Sequence, residues 1–405
     1  MSKLLSVYAR STGLKIKKPY MRENFYPLTT DKFITIQTGS NQGAKNYDYF
    51  QEVVVLLKPI LDSNGISIIH LGGKDDPMLN GVIDLRGKTT LPQSNFILKR
   101  TLLHLGNDSW MQHISCFYKI PTIALFGSTS IENHSSYWAN EKSIFIESHR
   151  NGNKPTYMSQ ENPKVINFIT PESVANSVIK LLSGNSNELN FKTILIGQIY
   201  NHTILELIPN FIIDGNLLPQ LPLCVRMDYH FDENILFKIL ETGRKINLIT
   251  NKKIDNINLL TQNKNNVLSI SYEVSLNDDP NYLYYVKNTF NNVTFFSKLD
   301  DKEKLSEIRF KFFDIISIES YKELNKDFAL DSVKKYTNDP NYPLDFNRLK
   351  FKTNKFIFSS GQIYTSFAHL KNNSPIPSLN ENLASVIDDQ EFWKDINSFY
   401  LIEKI

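Results

Sequence analysis

The sequence predicts an α/β protein made of two parallel-sheet domains, and three observations predict it. Short, wholly apolar runs alternate with amphipathic helical segments between residues 33 and 182, the mark of βαβ units that build a parallel sheet with helices on both faces. The loops at the carboxyl ends of those runs, at 38–45, 72–77, 107–109 and 127–130, are rich in Gly, Ser, Thr, Asn and Asp, and ligands bind at the carboxyl ends of strands in such sheets. A second alternation begins after residue 190, with the same βαβ rhythm but no Gly-rich phosphate loop.

The elements follow in order. Leu4 to Ser11 reads as a short helix stopped at Gly13, and Phe33–Gln37 as a strand. Asp48–Asp62 has helical periodicity, with Val53, Leu56, Leu57 and Ile60 on one face and Asn64-Gly65 to close it. Strands are expected at Ile66–Leu71, Val82–Leu85, Leu102–Gly106, Thr122–Phe126 and Ile144–Glu147, and helices at Leu91–Arg100, Ser109–Tyr118 and Pro171–Leu182. In the second half, strands are expected at Thr193–Ile196, Leu223–Met227, Ile246–Ile249, Val267–Ser271, Val293–Phe296 and Ile315–Ile318. Helices at Glu233–Glu241, Tyr282–Phe290 and Lys302–Phe313 lie between them, and strands at Lys355–Ser359 and Gln362–Phe367 precede an aromatic-rich end. The expected domains are 1–182, a linker at 183–190, a second α/β domain at 191–345, and a strand/helix extension at 346–405.

Composition narrows the function classes. The 405 residues are 41% hydrophobic, 21% charged and 12% aromatic, a globular balance that excludes disorder as the main state. Net charge is +3, split as +6 over residues 1–185 and −3 over 186–405. Neither half is basic enough for nucleic acid to be the expected partner. Two cysteines, Cys116 and Cys224, build no disulfide framework and point to a reducing compartment. No run approaches the roughly 18 apolar residues of a membrane span. The N-terminus lacks a signal-peptide core, so a cytoplasmic protein is expected, with peripheral contact at the inner membrane face left open.

Three segments carry candidate chemistry. In Leu105-Gly106-Asn107-Asp108-Ser109-Trp110-Met111-Gln112-His113 a strand ends at Gly106 and a helix begins near Ser109. Exposed N–H groups at such a helix start favour an anion, and His113 lies one turn further along the same face as Ser109. The same pattern also fits a capped helix with a packed histidine. Gln37-Thr38-Gly39-Ser40, followed by Lys45, is a strand, a small polar loop and a cation, a possible diphosphate cradle but not a P-loop. Gly72-Gly73-Lys74-Asp75-Asp76 and Leu85-Arg86-Gly87-Lys88-Thr89-Thr90 put glycines at strand ends, where backbone can approach a ligand. A carboxylate there can accept from ribose hydroxyls or can be a solvated turn.

In this order the motifs resemble the nucleotide-sugar-binding domain of the ADP-heptose:lipopolysaccharide heptosyltransferase family, together with Pro121-Thr122-Ile123-Ala124-Leu125-Phe126-Gly127-Ser128-Thr129. The resemblance covers about residues 1–182. It implies a GT-B fold with two Rossmann-like domains, the donor-binding one first, and inverting, metal-independent glycosyl transfer. It further implies no cofactor beyond a nucleotide-diphosphate sugar donor, and a glycan or lipid-linked acceptor. By resemblance Thr38, Gly39, Ser40 and Lys45 contact the diphosphate. Asn107, Asp108, Ser109 and His113 line phosphates and sugar, Gly73 and Asp75 lie near the nucleoside, Lys88 and Thr89 sit at the pocket edge, and Gly127 and Thr129 complete it.

Two departures qualify this. Trp110 stands where the family keeps a glycine. The family also places this domain second, after an acceptor domain that carries the proposed general base, whereas here only about 30 residues precede the first strand. His113 and Asp228 are the catalytic candidates, Asp228 as a base in Met227-Asp228-Tyr229-His230-Phe231-Asp232, although that segment also fits a polar loop capping the next helix. A non-catalytic nucleotide-sugar-binding protein with an added interaction domain is the alternative reading.

Overall fold

The computed structural model describes residues 3–184, 189–212, 218–380 and 383–405, so residues 185–188 of the expected linker lie outside the described residues. The chain divides into two units, Met1–Thr193 with Lys335–Pro340 and Lys404–Ile405, and Ile194–Lys334 with Asn341–Glu403. Among the described residues no helix is long and apolar enough to cross a membrane.

The first unit runs α1 (Leu4–Thr12), β1 (Phe33–Gln37), α2 (Phe50–Ser63), β2 (Ser67–His70), β3 (Ile83–Asp84), α3 (Leu91–Leu98), β4 (His104–Asn107) and α4 (Trp110–Phe117). It continues with β5 (Thr122–Phe126), α5 (Ile131–His134), β6 (Ser143–Glu147) and α6 (Pro171–Ser183). The strands pair in parallel in the order β3-β2-β1-β4-β5-β6. Every residue of β1 and β5 is buried, as a strand with cover on both faces requires. The order reverses between β1 and β4, so the loops that follow these two strands open side by side at the switch point where such sheets bind ligands. Helix α2 buries Val53, Val54, Leu57 and Leu61. The expected face was wrong by one step: Ile60 is exposed, because the helix turns Val54 and Leu61 inward instead.

The second unit holds β7 (Phe191–Ile196), β8 (Ile204–Leu207), β9 (Leu223–Arg226), α7 (Glu233–Glu241), β10 (Ile246–Thr250), α8 (Ile257–Gln262), β11 (Val267–Glu273), α9 (Pro280–Thr289) and β12 (Val293–Ser297). Next come α10 (Lys302–Lys311), β13 (Ile318–Ser320), α11 (Lys326–Thr337), β14 (Leu349–Thr353), β15 (Lys355–Ser359) and β16 (Gln362–Tyr364). The chain ends with α12 (Phe367–Lys371), β17 (Leu383–Ser385), α13 (Gln390–Trp393) and β18 (Phe399–Lys404).

The larger sheet runs β13-β12-β11-β10-β9-β8-β15-β16, parallel throughout except for the β15–β16 pair. From β8 to β13 the strands lie side by side in chain order. Right-handed crossovers that always step the same way leave their helices on one face. The strands record this. On β9 and β10 buried Leu223, Val225, Ile246 and Leu248 alternate with half-buried Cys224, Arg226, Asn247 and Ile249. The buried set joins Leu236, Leu240, Leu283, Val286 and Phe312 of the helical layer in one core, and the other set faces away from that layer.

Five expectations change in this unit. The strand expected at Ile315–Ile318 falls at Ile318–Ser320, and the one at Gln362–Phe367 ends at Tyr364, with Phe367 opening α12. Three more concern the sheets. The strand at Thr193–Ile196 is real, as part of β7, but it belongs to a separate four-stranded sheet, β17-β14-β18-β7. The larger sheet starts instead at β8, whose Glu206 interrupts the apolar run. Residues 346–405 are not an appended extension, because β15 pairs with β8 inside the larger sheet.

Candidate functional site

Asp108 organises the switch-point crevice. It follows β4 directly, and its N–H donates to the Leu125 carbonyl of β5 at 3.1 Å. Its carboxylate accepts three side-chain donors: Lys45 Nζ at 2.9 Å and Thr129 Oγ1 at 2.7 Å on Oδ2, and Gln112 Nε2 at 2.8 Å on Oδ1. Asp108 is 5% exposed and Lys45 15%. The carboxylate therefore fixes an ammonium beside the N-terminus of α4, with the lysine in part open to solvent. Asn107 ties the neighbouring loops together, with Nδ2 donating to the Thr38 carbonyl at 2.7 Å and Oδ1 accepting the Tyr47 N–H at 3.2 Å.

Two histidines border this hub. His113 is partly buried, and burial depresses its pKa against the opposing pull of Asp108. His134, from α5, is depressed by burial in the same way, and also feels Asp108 and Lys45. Its backbone carbonyl accepts Gln112 Nε2 at 3.3 Å. Both imidazoles are therefore neutral near pH 7. Sequence reasoning missed His134 and Gln112. Gln112 lies four residues after Asp108, on the helix that follows it, a local signal that could have found it, whereas His134 arrives from α5 and no local pattern marks it.

The β1 loop is arranged differently from expectation. The Thr38 hydroxyl donates to the Pro77 carbonyl at 2.9 Å and meets His70 Nε2 at 2.9 Å. With its single proton committed, Thr38 accepts from His70 Nε2–H, which fixes that tautomer. Ser40 bonds only to its own turn, donating to the Gln42 carbonyl at 2.8 Å. The space beside Gly39 holds Asp76. A Cβ on Gly39 would stand 2.0 Å from Asp76 Cγ, and one on Gly72 would stand 2.2 Å from Asp76 Oδ2. Asp76 also accepts the Gly73 N–H at 2.9 Å, and burial raises its carboxyl pKa. The glycines expected to admit a phosphate thus admit a carboxylate of the same chain.

The other site residues divide. Ser109 caps α4 by position and donates to Gln37 Oε1. Asp75 is exposed beside the Gly73 turn. Lys88 Nζ donates to the Asp84 carbonyl at 2.7 Å and Thr89 pairs with Ser94 at 2.9 Å, so both serve the β3–α3 connection. Gly127 is a packing residue: its Cβ would lie 2.4 Å from that of Ile166 and 2.6 Å from the Ile166 nitrogen. Trp110 packs against the cluster of Phe33, Ile69, Leu71, Ile97, Leu98 and Met111, so its ring is part of that core.

In the second unit Asp228 is held twice by Arg226, at 2.9 Å to each carboxylate oxygen, and is 4% exposed. Both of its oxygens are thus engaged by one guanidinium and do not face a substrate freely. Asp232 caps α7, accepting the Ile235 N–H at 3.1 Å.

A parallel sheet with a reversal of strand order, and with an ammonium and a helix N-terminus at that point, is the arrangement at which α/β sheets bind anionic ligands. Comparison with known proteins finds similar chains. Residues 5–165 match the model of glycosyltransferase family 9 (heptosyltransferase). Lipooligosaccharide heptosyltransferase 2 of Campylobacter jejuni is 26% identical over 159 residues, covering 35% of this chain and 48% of that protein. The chain thus spans about half the length of the curated relatives it matches. Among solved structures, the E. coli ADP-heptose lipopolysaccharide heptosyltransferase II matches over 44% of this chain and 50% of its own, at 19% identity and a TM-score of 0.31. A family 9 glycosyltransferase from Veillonella parvula matches over 44% and 51%, at 22% identity and 0.32. The family match shows the resemblance read from the motifs over residues 5–165.

Proposed function

We propose that the chain is a glycosyltransferase that moves a sugar from a nucleotide-diphosphate sugar to a glycan or lipid-linked acceptor, with inversion and without a metal ion. The observation that carries this reading is the Lys45–Asp108–Thr129 hub at the α4 N-terminus, in a unit that matches a glycosyltransferase family. Lys45 and the α4 N–H groups take the donor diphosphate, and they stabilise the charge that develops as the bond from the anomeric carbon to the phosphate oxygen breaks. The acceptor oxygen forms the new bond from the opposite side of the ring and gives its proton to a base. His113, kept neutral by burial, is the proposed proton acceptor. Asp108 holds the ammonium in place and is a positioning residue.

Calorimetric titration with ADP, GDP, UDP and CMP tests the pocket. One diphosphate should bind, and Lys45→Met should weaken it at least tenfold. Unchanged affinity in that variant would remove the hub from the donor site. His113→Gln should then cut transfer while leaving nucleotide affinity within a few-fold. A specific observation favours a second reading, a binding protein without turnover: Asp228, the base candidate of the second unit, is committed to Arg226. Tight nucleotide-sugar binding with no donor consumption on any acceptor would select it.

A further inference from the structure

The second unit carries a cavity of about 290 Å³ on the face of its large sheet that turns away from the helical layer. Four residues in register across four strands form part of its lining: Arg226 pairs with Ile249, Ile249 with Ser271, and Ser271 with Thr294. A one-way sheet leaves this face without crossover helices, so its alternate side chains are free to build a site.

The cations lining the cavity are all paired, and carboxylates outnumber them, with Glu206, Asp228, Glu319, Glu323 and Asp395 against Arg226, Lys298, Lys355 and Lys394. Arg226 bridges Glu206 at 2.7 Å and Asp228 at 2.9 Å. Lys355 bridges Glu206 at 3.0 Å and Asp395 at 2.8 Å. Lys298 lies 3.2 Å from Glu273, and Lys394 lies 2.9 Å from Glu323. With every cation bridged and a carboxylate in excess, a phosphate entering here would meet net negative charge. A neutral ligand with many hydroxyls needs no counter-charge, because rigidly held ion pairs present it with fixed donors and acceptors.

Two further features fit such a ligand. Asp395 Oδ2 is buried without a hydrogen-bond partner among the described residues, a cost that a ligand hydroxyl would relieve. Burial raises the Asp395 carboxyl. Burial also pushes Glu206 upward, but Lys355 and Arg226 outweigh it and hold that group below its ordinary range. Aromatic rings flank the opening. Tyr321 is 52% exposed and leans on Phe296, with ring centres 5.6 Å apart, and Tyr229 is 46% exposed and stacks on Phe367 at 4.3 Å. The volume lies at the lower edge of the roughly 300–1,000 Å³ usual for small-molecule sites, which is room for one sugar ring.

We propose that this cavity is a carbohydrate site that takes one ring of a neutral glycan, with Tyr321 against the apolar side of the sugar and Arg226, Ser271, Thr294 and Asp395 toward its hydroxyls. It is independent of the donor reading, since every residue belongs to the second unit. Saturation-transfer NMR on the full chain with glucose, galactose, mannose, N-acetylglucosamine and lactose tests it, with inorganic phosphate as competitor. At least one sugar should receive saturation. Tyr321→Ala should weaken it about three- to tenfold, the loss of one aromatic contact, and Thr294→Trp should abolish it. Both variants should keep the wild-type melting temperature within a few degrees and the wild-type ADP titration. No saturation of any sugar on the wild-type chain, binding unchanged in both variants, or displacement of sugar by phosphate would each overturn the proposal.

Discussion

The Lys45–Asp108 pair can be weighed by a double-mutant cycle. Removing one partner of a buried ion pair costs roughly 3–5 kcal/mol when the survivor is sealed from water. Lys45 is 15% exposed, so water recovers part of its solvation. Asp108→Asn also turns one acceptor into an amide that faces the Gln112 donor, so a loss of about 2–3 kcal/mol is expected. In a domain of this size that is a fall of roughly 5–10 °C in melting temperature. Lys45→Met leaves Asp108 its bonds from Thr129 and Gln112, and should cost about 2 kcal/mol. The double variant leaves neither charge stranded, so its loss should fall short of the sum by about 1.5 kcal/mol or more. Urea titration and scanning calorimetry on all four proteins measure this. Additivity within about 0.5 kcal/mol would mean that the two side chains do not act as a pair.

Two further outcomes follow from burial. Gly127→Ala would drive a methyl group into Ile166, and should destabilise the first unit by about 1–3 kcal/mol while leaving ADP affinity unchanged. A loss of affinity at unchanged stability would restore Gly127 as a binding residue. The second outcome concerns pH. His70 is pushed down from 6.5 to about 4, mainly by burial with Arg86 adding to it, and His104 to about 3 by burial alone. Both folded values lie below the unfolded one, so the unfolded chain takes up protons first. Their contribution is complete above about pH 6.5 and falls as pH drops toward 4, with a limiting slope of about 2.7 kcal/mol per pH unit for two protons. Unfolding free energies at pH 7 and pH 5 should show this fall, and His104→Gln should halve the slope. A flat profile would contradict neutral burial of the two rings.

Legibility tracked how local each determinant is. Phe33–Gln37 and Thr122–Phe126 were readable to the residue because all five positions of each strand are buried, and their runs are apolar apart from Thr35, Gln37 and Thr122. Glu233–Glu241 was equally plain, with Asp232 as its cap. Strand β8 was invisible because Glu206 sits in the middle of Ile204–Leu207, and its burial is tolerable only through Lys355 and Arg226, which arrive from other strands. Strand β14, Leu349–Thr353, was lost because its alternating lysines read as a solvated segment, although one face packs Phe351 into the core. The hub residues Lys45, Asp108 and Thr129 were legible from motif order. The contact between Asp76 and Gly39, and the fit of Gly127 against Ile166, were not, because each pairs residues that no local pattern connects.

The placement of β15 beside β8 has a consequence for synthesis. Strands β8 to β13 can add to the sheet one after another as they leave the ribosome, since each pairs with the one made just before it. The other edge waits. Until Lys355 emerges, Glu206 is a carboxylate destined for burial with half of its counter-charge missing. A chain halted or cleaved before residue 355 would hold a nearly complete sheet carrying an unpaired interior acid, a half-product that quality control can recognise and that full translation removes.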